Sequence, residues 1–248
     1  MAVLWQQESD GTRYEVRGHG ATRRLLTDGV FHSAWNPRSG LTGRAWDLLL
    51  AAAFAPPQRP QRILVLGAGA GTVLLQYRRF VDPAVLVAVD RDPWHLEIGR
   101  RWFGLEEAAA EVHLADARDW VAGYRGAPFD LVVEDLYAHR AGKPERAVPF
   151  DRSWAAGLSR LVAPAGAMAA NFVSLRELKA CAPVQHAASR KGFASGLMLR
   201  GPLDENAVVV LCRQGTSPAA VRARLRQAPG LADRRGACRL RYGSRTLW

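Results

Sequence analysis

The chain has 248 residues, 48% of them hydrophobic, and a formal net charge of +11. That length suits one large domain, or one domain with a small appendage, around a buried core. The longest apolar run, Leu48 to Ala55, stops at Pro56-Pro57, far short of the ~20 residues a helix needs to cross a bilayer. Gln6, Gln7, Glu8 and Asp10 leave no room for the apolar stretch of a secretion signal, so no membrane partner and a cytoplasmic location are expected. Cys181, Cys212 and Cys238 are odd in number and widely spaced, which argues for reduced thiols and against a disulfide framework or a metal site.

The positive charge invites a nucleic-acid reading. Only three of the 34 basic residues are lysines, however, and arginine and alanine are abundant throughout, as GC-rich codons would make them. Many arginines fall late: Arg222, Arg224, Arg226, Arg234, Arg235, Arg239, Arg241 and Arg245. They read as a solvated basic face and tail, and no nucleic-acid partner is expected. The alternative is a basic groove for an anionic substrate or RNA, whose binding salt would weaken.

Residues 1 to about 34 read as short strands. Tyr14 to Arg17 alternates, Gly18 and Gly20 mark a turn, and Asp28-Gly29 after Arg24 to Thr27 is a hairpin signal. A helix is expected over Gly43 to Phe54. After Arg62 the texture changes. Ile63 to Leu66 is continuously apolar, as a strand buried on both faces is. A helix over Thr72 to Phe80 and a strand over Val85 to Val89 follow, and Pro93 suits the first turn of the next helix, to Phe103. Then come a short strand at Val112 to Leu114, a short helix at Ala117 to Val121 and a strand at Phe129 to Val133. Ser153 to Val162 reads as a helix, Ala167 to Phe172 as a strand, and Leu175 to Ser189 as a helix broken near Pro183. Ala207 to Cys212 is the last clear strand, with a helix over Ala219 to Gln227. Strands alternating with helices imply an α/β fold with a doubly wound, mostly parallel sheet. The organisation expected is an N-terminal β-hairpin region over residues 1–40, a nucleotide-binding α/β catalytic domain over 41–214 and a basic C-terminal extension over 215–248.

In an open α/β sheet, ligands sit beyond the carboxyl ends of the strands. Four strand ends here carry suitable residues. Gly67-Ala68-Gly69-Ala70-Gly71 lets the backbone turn tightly and approach a ligand with no Cβ in the way, with a helix N-terminus behind it. Position 72 is Thr, so the pattern is G-x-G-x-G and departs from the dinucleotide fingerprint. It favours a ligand with a ribose and an amino-acid-like end over a pyrophosphate. Asp90, in Ala88-Val89-Asp90-Arg91-Asp92-Pro93, can accept from both ribose hydroxyls, while Asp92 suits the helix cap. Asp116 can accept from an adenine amino group while the Ala117 N–H donates to the ring, and it can also cap the next helix. Glu134-Asp135-Leu136-Tyr137 puts charge at the end of a buried strand, which is costly unless paired or used. A carboxylate there can take a proton from an amine or hold a cation. The alternative is an ion pair with one of the arginines.

These segments, with Phe150-Asp151-Arg152-Ser153-Trp154 and Leu26-Thr27-Asp28-Gly29-Val30-Phe31-His32-Ser33, resemble the spermidine synthase (polyamine aminopropyltransferase) family, a branch of the class I S-adenosylmethionine-dependent methyltransferases. The match runs from about Arg23 to Asn171. The resemblance implies that Gly67, Ala68, Gly69 and Gly71 line the methionine-like portion of the nucleotide. It implies that Asp90 with Arg91 holds the ribose and Asp116 with Ala117 the adenine. Asp135 then matches the first aspartate of the family's D-S-S-D-P loop, which deprotonates the attacking amine. The loop then diverges: Ala138 stands for the second aspartate and His139 for the proline. His32 replaces a nucleotide-contacting Gln, and the family's Tyr-His pair is replaced around Arg44-Ala45-Trp46. The family's N-terminal hairpins associate, so a homodimer is expected.

Losing one buried partner of an ammonium costs on the order of 2–5 kcal/mol, so the missing acid argues against efficient aminopropyl transfer. The leading expectation is a transferase using S-adenosylmethionine to methylate a small acceptor, an amine among the candidates. Asp135, Tyr137 and His139 are the candidate proton acceptors, with His32 also considered. His32, Trp35 and Tyr137 are the candidate acceptor-binding residues, and Trp46 is a further candidate wall. The alternatives are aminopropyl transfer from decarboxylated S-adenosylmethionine and a non-catalytic nucleotide-binding module.

Overall fold

The structure, a computed structural model, describes residues 1–140, 143–203, 205–233 and 235–248, with the side chains of residues 139, 140 and 143 outside that description. Four strands open the chain: β1 (Ala2–Ser9), β2 (Thr12–His19), β3 (Thr22–Thr27) and β4 (Val30–Trp35). They form an antiparallel sheet in chain order. Asp10-Gly11 and Asp28-Gly29 take positive φ (49° and 73°, 48° and 79°), the turn geometry that matches strand twist and that Asp-Gly adopts cheaply.

The rest of the chain is α/β. Helix α1 (Ala45–Ala52) leads to β5 (Arg62–Leu66), α2 (Thr72–Phe80), β6 (Val85–Asp90) and α3 (Pro93–Ile98). The helix expected to Phe103 continues past α3 as a wider turn over Gly99–Phe103. Then follow β7 (Glu111–Leu114), α4 (Ala117–Gly123), β8 (Phe129–Glu134), a hairpin of β9 (Tyr137–Arg140) and β10 (Lys143–Arg146), α5 (Arg152–Leu161) and β11 (Val162–Phe172). The chain ends with α6 (Leu175–Ala180), α7 (Ala182–Gln185), β12 (Ser195–Arg200), β13 (Ala207–Cys212), α8 (Pro218–Gln227) and β14 (Gly243–Thr246). The large sheet has the order β14-β12-β13-β11-β8-β5-β6-β7. From β11 to β7 every pairing is parallel, and β13, β12 and β14 pair antiparallel. No helix among the described residues is long and apolar enough to cross a membrane.

Three departures from the expected elements have physical causes. The helix break near Pro183 falls at Cys181, because a proline in the first turn of α7 loses no helical hydrogen bond. Strand β12 carries Gly196, and a Cβ there would stand 2.6 Å from the Trp248 ring. The C-terminal indole supplies the packing that a strand side chain normally would. The arginine-rich end is only partly a solvated tail. The Arg224 guanidinium donates to the carbonyls of Phe54 and Ala55 at 3.0 and 2.8 Å, and Arg239 donates to those of Gly230 and Ser39.

The two sheets are fastened where the first one crosses the helices of the second. The Tyr14 hydroxyl donates to Asp92 at 3.0 Å, and Thr27 Oγ1 lies 2.9 Å from His95 Nε2. Thr72 Oγ1 accepts from the Ala34 N–H and donates to the Ala34 carbonyl, at 3.1 and 3.0 Å. That pair of hydrogen bonds gives a threonine a structural role where the dinucleotide fingerprint has a small residue. Asp47 ties the segment before α1 to α2. It accepts from the Thr42 N–H and hydroxyl, the Gly43 N–H and the Gln76 amide, at 2.7 to 3.0 Å for its shortest contacts.

Glu134, fully buried at the end of β8, meets Arg146 of β10 through two contacts of 2.6 and 2.8 Å from Nη1. The guanidinium also lies 4.5 Å over the Phe172 ring. This ion pair latches the hairpin onto the sheet.

Asp47→Ala leaves several buried donors unpartnered and should lower stability by about 2–4 kcal/mol, read from urea midpoints. Arg146→Met should cost about 3–5 kcal/mol by stranding Glu134. The double variant Glu134→Gln/Arg146→Met should recover much of that, and a double variant as unstable as the single one would contradict the latch.

Candidate nucleotide site

Strand β5 stands between β6, the next strand in the chain, and β8, so the crossovers part on either side of its carboxyl end. That is the topological switch point where open α/β sheets bind ligands. A cavity of about 400 Å3 opens there, within the usual range for a small-molecule site. Its floor is the glycine turn. Gly67 and Gly69 have φ of 92° and 52°. A Cβ on Gly67 would lie 2.1 Å from the Asp135 carbonyl oxygen, and one on Gly69 2.8 Å from Ser33 Oγ. Only glycine permits that approach. Ser33 in turn accepts from the Ala70 N–H at 2.9 Å, so the N-terminal sheet helps shape the turn.

Asp90 closes one side. Its Oδ2 accepts from the Gly69 N–H at 2.7 Å and its Oδ1 from the Asp92 N–H at 2.9 Å. Burial pushes its carboxyl above the usual carboxylate range, while His95 and the two N–H groups pull it back. Each oxygen keeps a second lone pair for a ligand hydroxyl. Asp116 caps α4 through the Arg118 N–H at 2.8 Å, and the Arg118 side chain holds its carboxyl below the usual range. The cap and a ligand contact are compatible, because Asp116 and Ala117 both line the cavity. Apolar Val30, Val89, Leu136 and Val148 complete its walls.

At the other end stands Asp135. Its N–H donates to the Leu66 carbonyl at 2.8 Å, which pins the loop to β5. Its Oδ1 accepts from Asn171 Nδ2 at 2.8 Å, and the Asn171 carbonyl oxygen of the side chain accepts from Asn206 Nδ2 at 3.1 Å. Burial raises the Asp135 carboxyl, against the pull of the Asn171 hydrogen bond and of Arg146.

Of the residues singled out in the sequence, Gly67, Ala68, Gly69, Asp90, Arg91, Asp116, Ala117, Asp135, Tyr137 and His32 all line this one cavity. Two do not. Gly71 faces Leu105, whose Cδ1 is 2.5 Å from where its Cβ would be, so its left-handed φ of 90° serves the start of α2. Trp35 lies in the core, 6% exposed, because β4 has already passed the glycine turn at Ser33 and Ala34. Trp46, the other candidate wall, does line the cavity, with Phe31 edge-on at 5.3 Å.

Tyr137 is placed as a fastener and is unsuited to accept a proton. Its hydroxyl lies 2.9 Å from the Asn171 backbone carbonyl and 3.1 Å from Glu177, and accepts from the Val173 N–H. Burial raises its pKa far beyond the ordinary value. The side chain of His139 lies outside the described residues. The sequence reading did not single out Asn171, Asn206, Ser33 or His95. Asn171 carried a usable signal, a polar residue closing the apolar strand β11. Asn206 and Ser33 carried none.

No protein-family model matches the chain. The mouse eEF1A lysine and N-terminal methyltransferase is 31% identical over 83 residues, 32% of this chain and 12% of that protein. The polyamine aminopropyltransferase of Aeropyrum pernix is 30% identical over 129 residues, 48% of this chain and 40% of that protein. The chain thus spans less than half the length of these relatives. A probable spermidine synthase from Corynebacterium glutamicum superposes with a TM-score of 0.71 at 15% identity, over 99% of this chain and 91% of that one. A spermidine synthase in complex with the transition-state analogue AdoDATO gives 0.69 at 14%, over 92% and 79%. Human methyltransferase-like protein 13 in complex with SAH gives 0.55 at 23%, over 75% and 86%. By strand order, by the added N-terminal sheet and by these superpositions, the chain has the spermidine synthase-like form of the class I S-adenosylmethionine-dependent methyltransferase fold.

Proposed function

We propose that the chain is an S-adenosylmethionine-dependent transferase that methylates a small amine. The observation that carries this reading is the distribution of acids around the cavity. Among the described residues that line the cavity, Asp90, Asp92 and Asp116 sit where β6 and β7 end, and Asp135 is the one acid just past β8. Ala138 lines the cavity where the family has its second aspartate. Glu134 is committed to Arg146, and Glu177 to the Val173 N–H and to Tyr137. One acid can receive the proton of a single amine. An aminopropyl donor and a diamine together present several ammonium groups that one acid cannot match.

When bound, S-adenosylmethionine supplies a methyl group activated by its sulfonium. Asp90 would accept from the ribose hydroxyls, Asp116 and the Ala117 N–H would read the adenine edge, and the glycine turn would let the amino-acid end lie close to the backbone. The fit rests on the Cβ-free face of Gly67 and Gly69 and on the lone pairs left on Asp90. Asp135 would orient the acceptor amine and take its proton, and Asn171 keeps that carboxylate from turning away. Catalysis is then mostly positioning and proton transfer. Aminopropyl transfer from decarboxylated S-adenosylmethionine is the second reading, favoured by the resemblance to a polyamine aminopropyltransferase over 48% of the chain.

Incubation with each nucleotide and a panel of amines separates the two. Release of S-adenosylhomocysteine is expected. Release of methylthioadenosine with putrescine would overturn the methyl-transfer reading, and tight nucleotide binding with no turnover would leave a binding module. Asp135→Asn should lower turnover by about 100-fold or more. The pH dependence has a defined sign. Because burial raises the Asp135 carboxyl, activity should climb as pH rises through that elevated value. The buried carboxylate is costly only when ionised, so its contribution to the stability of the nucleotide-free protein is lost over the same interval. Asp135→Asn should therefore raise the melting temperature at neutral pH while removing activity. A variant that is less stable and retains the acid limb of the profile would contradict this assignment.

A further inference from the structure

Three neighbouring strands, β8, β11 and β13, each bring one polar side chain to the Asp135 end of the cavity. Ala170 of β11 pairs with Glu134 of β8, so Asn171 comes level with Asp135. On its other side Asn171 pairs with Val208 of β13, and Asn206, two residues before Val208, is its diagonal neighbour on the same face. Asp135, Asn171 and Asn206 all line the cavity. Two hydrogen bonds join them in a row. Asn206 Nδ2 donates to Asn171 Oδ1 at 3.1 Å, and Asn171 Nδ2 donates to Asp135 Oδ1 at 2.8 Å.

Both bonds run toward Asp135. A half-turn of the Asn171 amide exchanges its nitrogen and its oxygen with no change of shape, so its neighbours decide which end faces the carboxyl. An ionised carboxyl only accepts, whereas a protonated one also donates. The amide N–H toward Asp135 therefore suits the ionised form, and the amide oxygen toward it suits the protonated form. The backbone of Asn171 is held separately, its carbonyl accepting from Tyr137 and Arg146. The hold on its side-chain oxygen comes from Asn206.

We propose that Asn206 is a positioning residue for Asp135: by donating to Asn171 it fixes that amide with its N–H toward the carboxylate and keeps Asp135 ready to accept a proton. That the proton comes from an acceptor amine rests on the transferase reading above; the hold on the carboxylate does not. Among the described residues, the ionisable groups that act on Asp135 are Glu134 before it, Asp90 of β6, Tyr77 of α2, Tyr137 of β9 and Arg146 of β10. Substitution at Asn206 leaves all of them in place.

The test follows the Asp135 side-chain carboxyl by 13C NMR against pH in the nucleotide-free full chain, its resonance identified by its loss in Asp135→Asn. In Asn206→Ala the titration midpoint should rise by about half a pH unit or more, and Asn171→Ala should raise it at least as far. Removing Asn206 from the Asn171→Ala protein should add nothing further. An unmoved midpoint in Asn206→Ala, or a rise of the same size in both backgrounds, overturns the proposal. If Asn206→Ala fails to fold, Asn206→Leu keeps the volume without the donor and should give the same rise; an unmoved midpoint there overturns the proposal. In an enzyme assay the acid limb of the kcat profile should move with the midpoint. A higher KM with that limb in place would make Asn206 an acceptor contact and overturn its positioning role. Absence of turnover with every amine would refute the transferase reading, while the NMR titration still decides the role of Asn206.

Discussion

The close approach of two strand-end loops governs the rest of this site. The Asp135 carbonyl oxygen occupies the place where a side chain on Gly67 would be. The Asp135 N–H is bonded to the last residue of β5, and the Gly69 N–H to Asp90. These contacts draw the ends of β5, β6 and β8 into one surface before any ligand arrives. A single methyl on Gly67 would force the β8 loop away and Asp135 with it. The order follows from sequence: glycines permit the turn, the parallel sheet aligns the strand ends, and the acids at those ends are then held facing one cavity.

The cost of this arrangement is borne by buried charge. Asp90, Glu134 and Asp135 are all raised by burial, and each is compensated differently. Glu134 has a full counter-charge in Arg146. Asp90 has two backbone N–H groups. Asp135 has the Asn171 amide and the charge of Arg146. A raised carboxyl that lines a cavity, as Asp135 does, is a candidate for proton transfer, whereas Glu134, beside it in sequence, is paired with Arg146. Neighbouring acids on one strand end thus divide into a latch and a candidate base.

Much of this was legible in the sequence. The apolar runs at Ile63 to Leu66, Val85 to Val89 and Phe129 to Val133 announced a parallel sheet, and the residues just past them, Gly67 and Gly69, Asp90, and Asp135, line the cavity. The legible part is local: a strand, its turn and the residue after it. What escaped depends on distant partners. Strand β12 is intelligible only with Trp248 against Gly196. The β9–β10 hairpin depends on Arg146 reaching Glu134, and Trp35 falls in the core because of where β4 crosses the glycine turn. Thr72, a mismatch to the dinucleotide pattern, makes sense only beside Ala34. Conversely, the arginines that composition alone assigns to a solvated tail include Arg224, which holds the end of the α1 segment.

The central claim is that Asp90, held by the glycine turn, anchors the ribose of an adenosyl nucleotide. Titration of S-adenosylhomocysteine into wild type and Asp90→Ala measures it directly. Two hydrogen bonds to a charged group are worth enough together to predict roughly a 100-fold loss of affinity, in a variant whose far-UV spectrum is unchanged. Equal affinity in the two proteins, or no binding to wild type, would contradict the account.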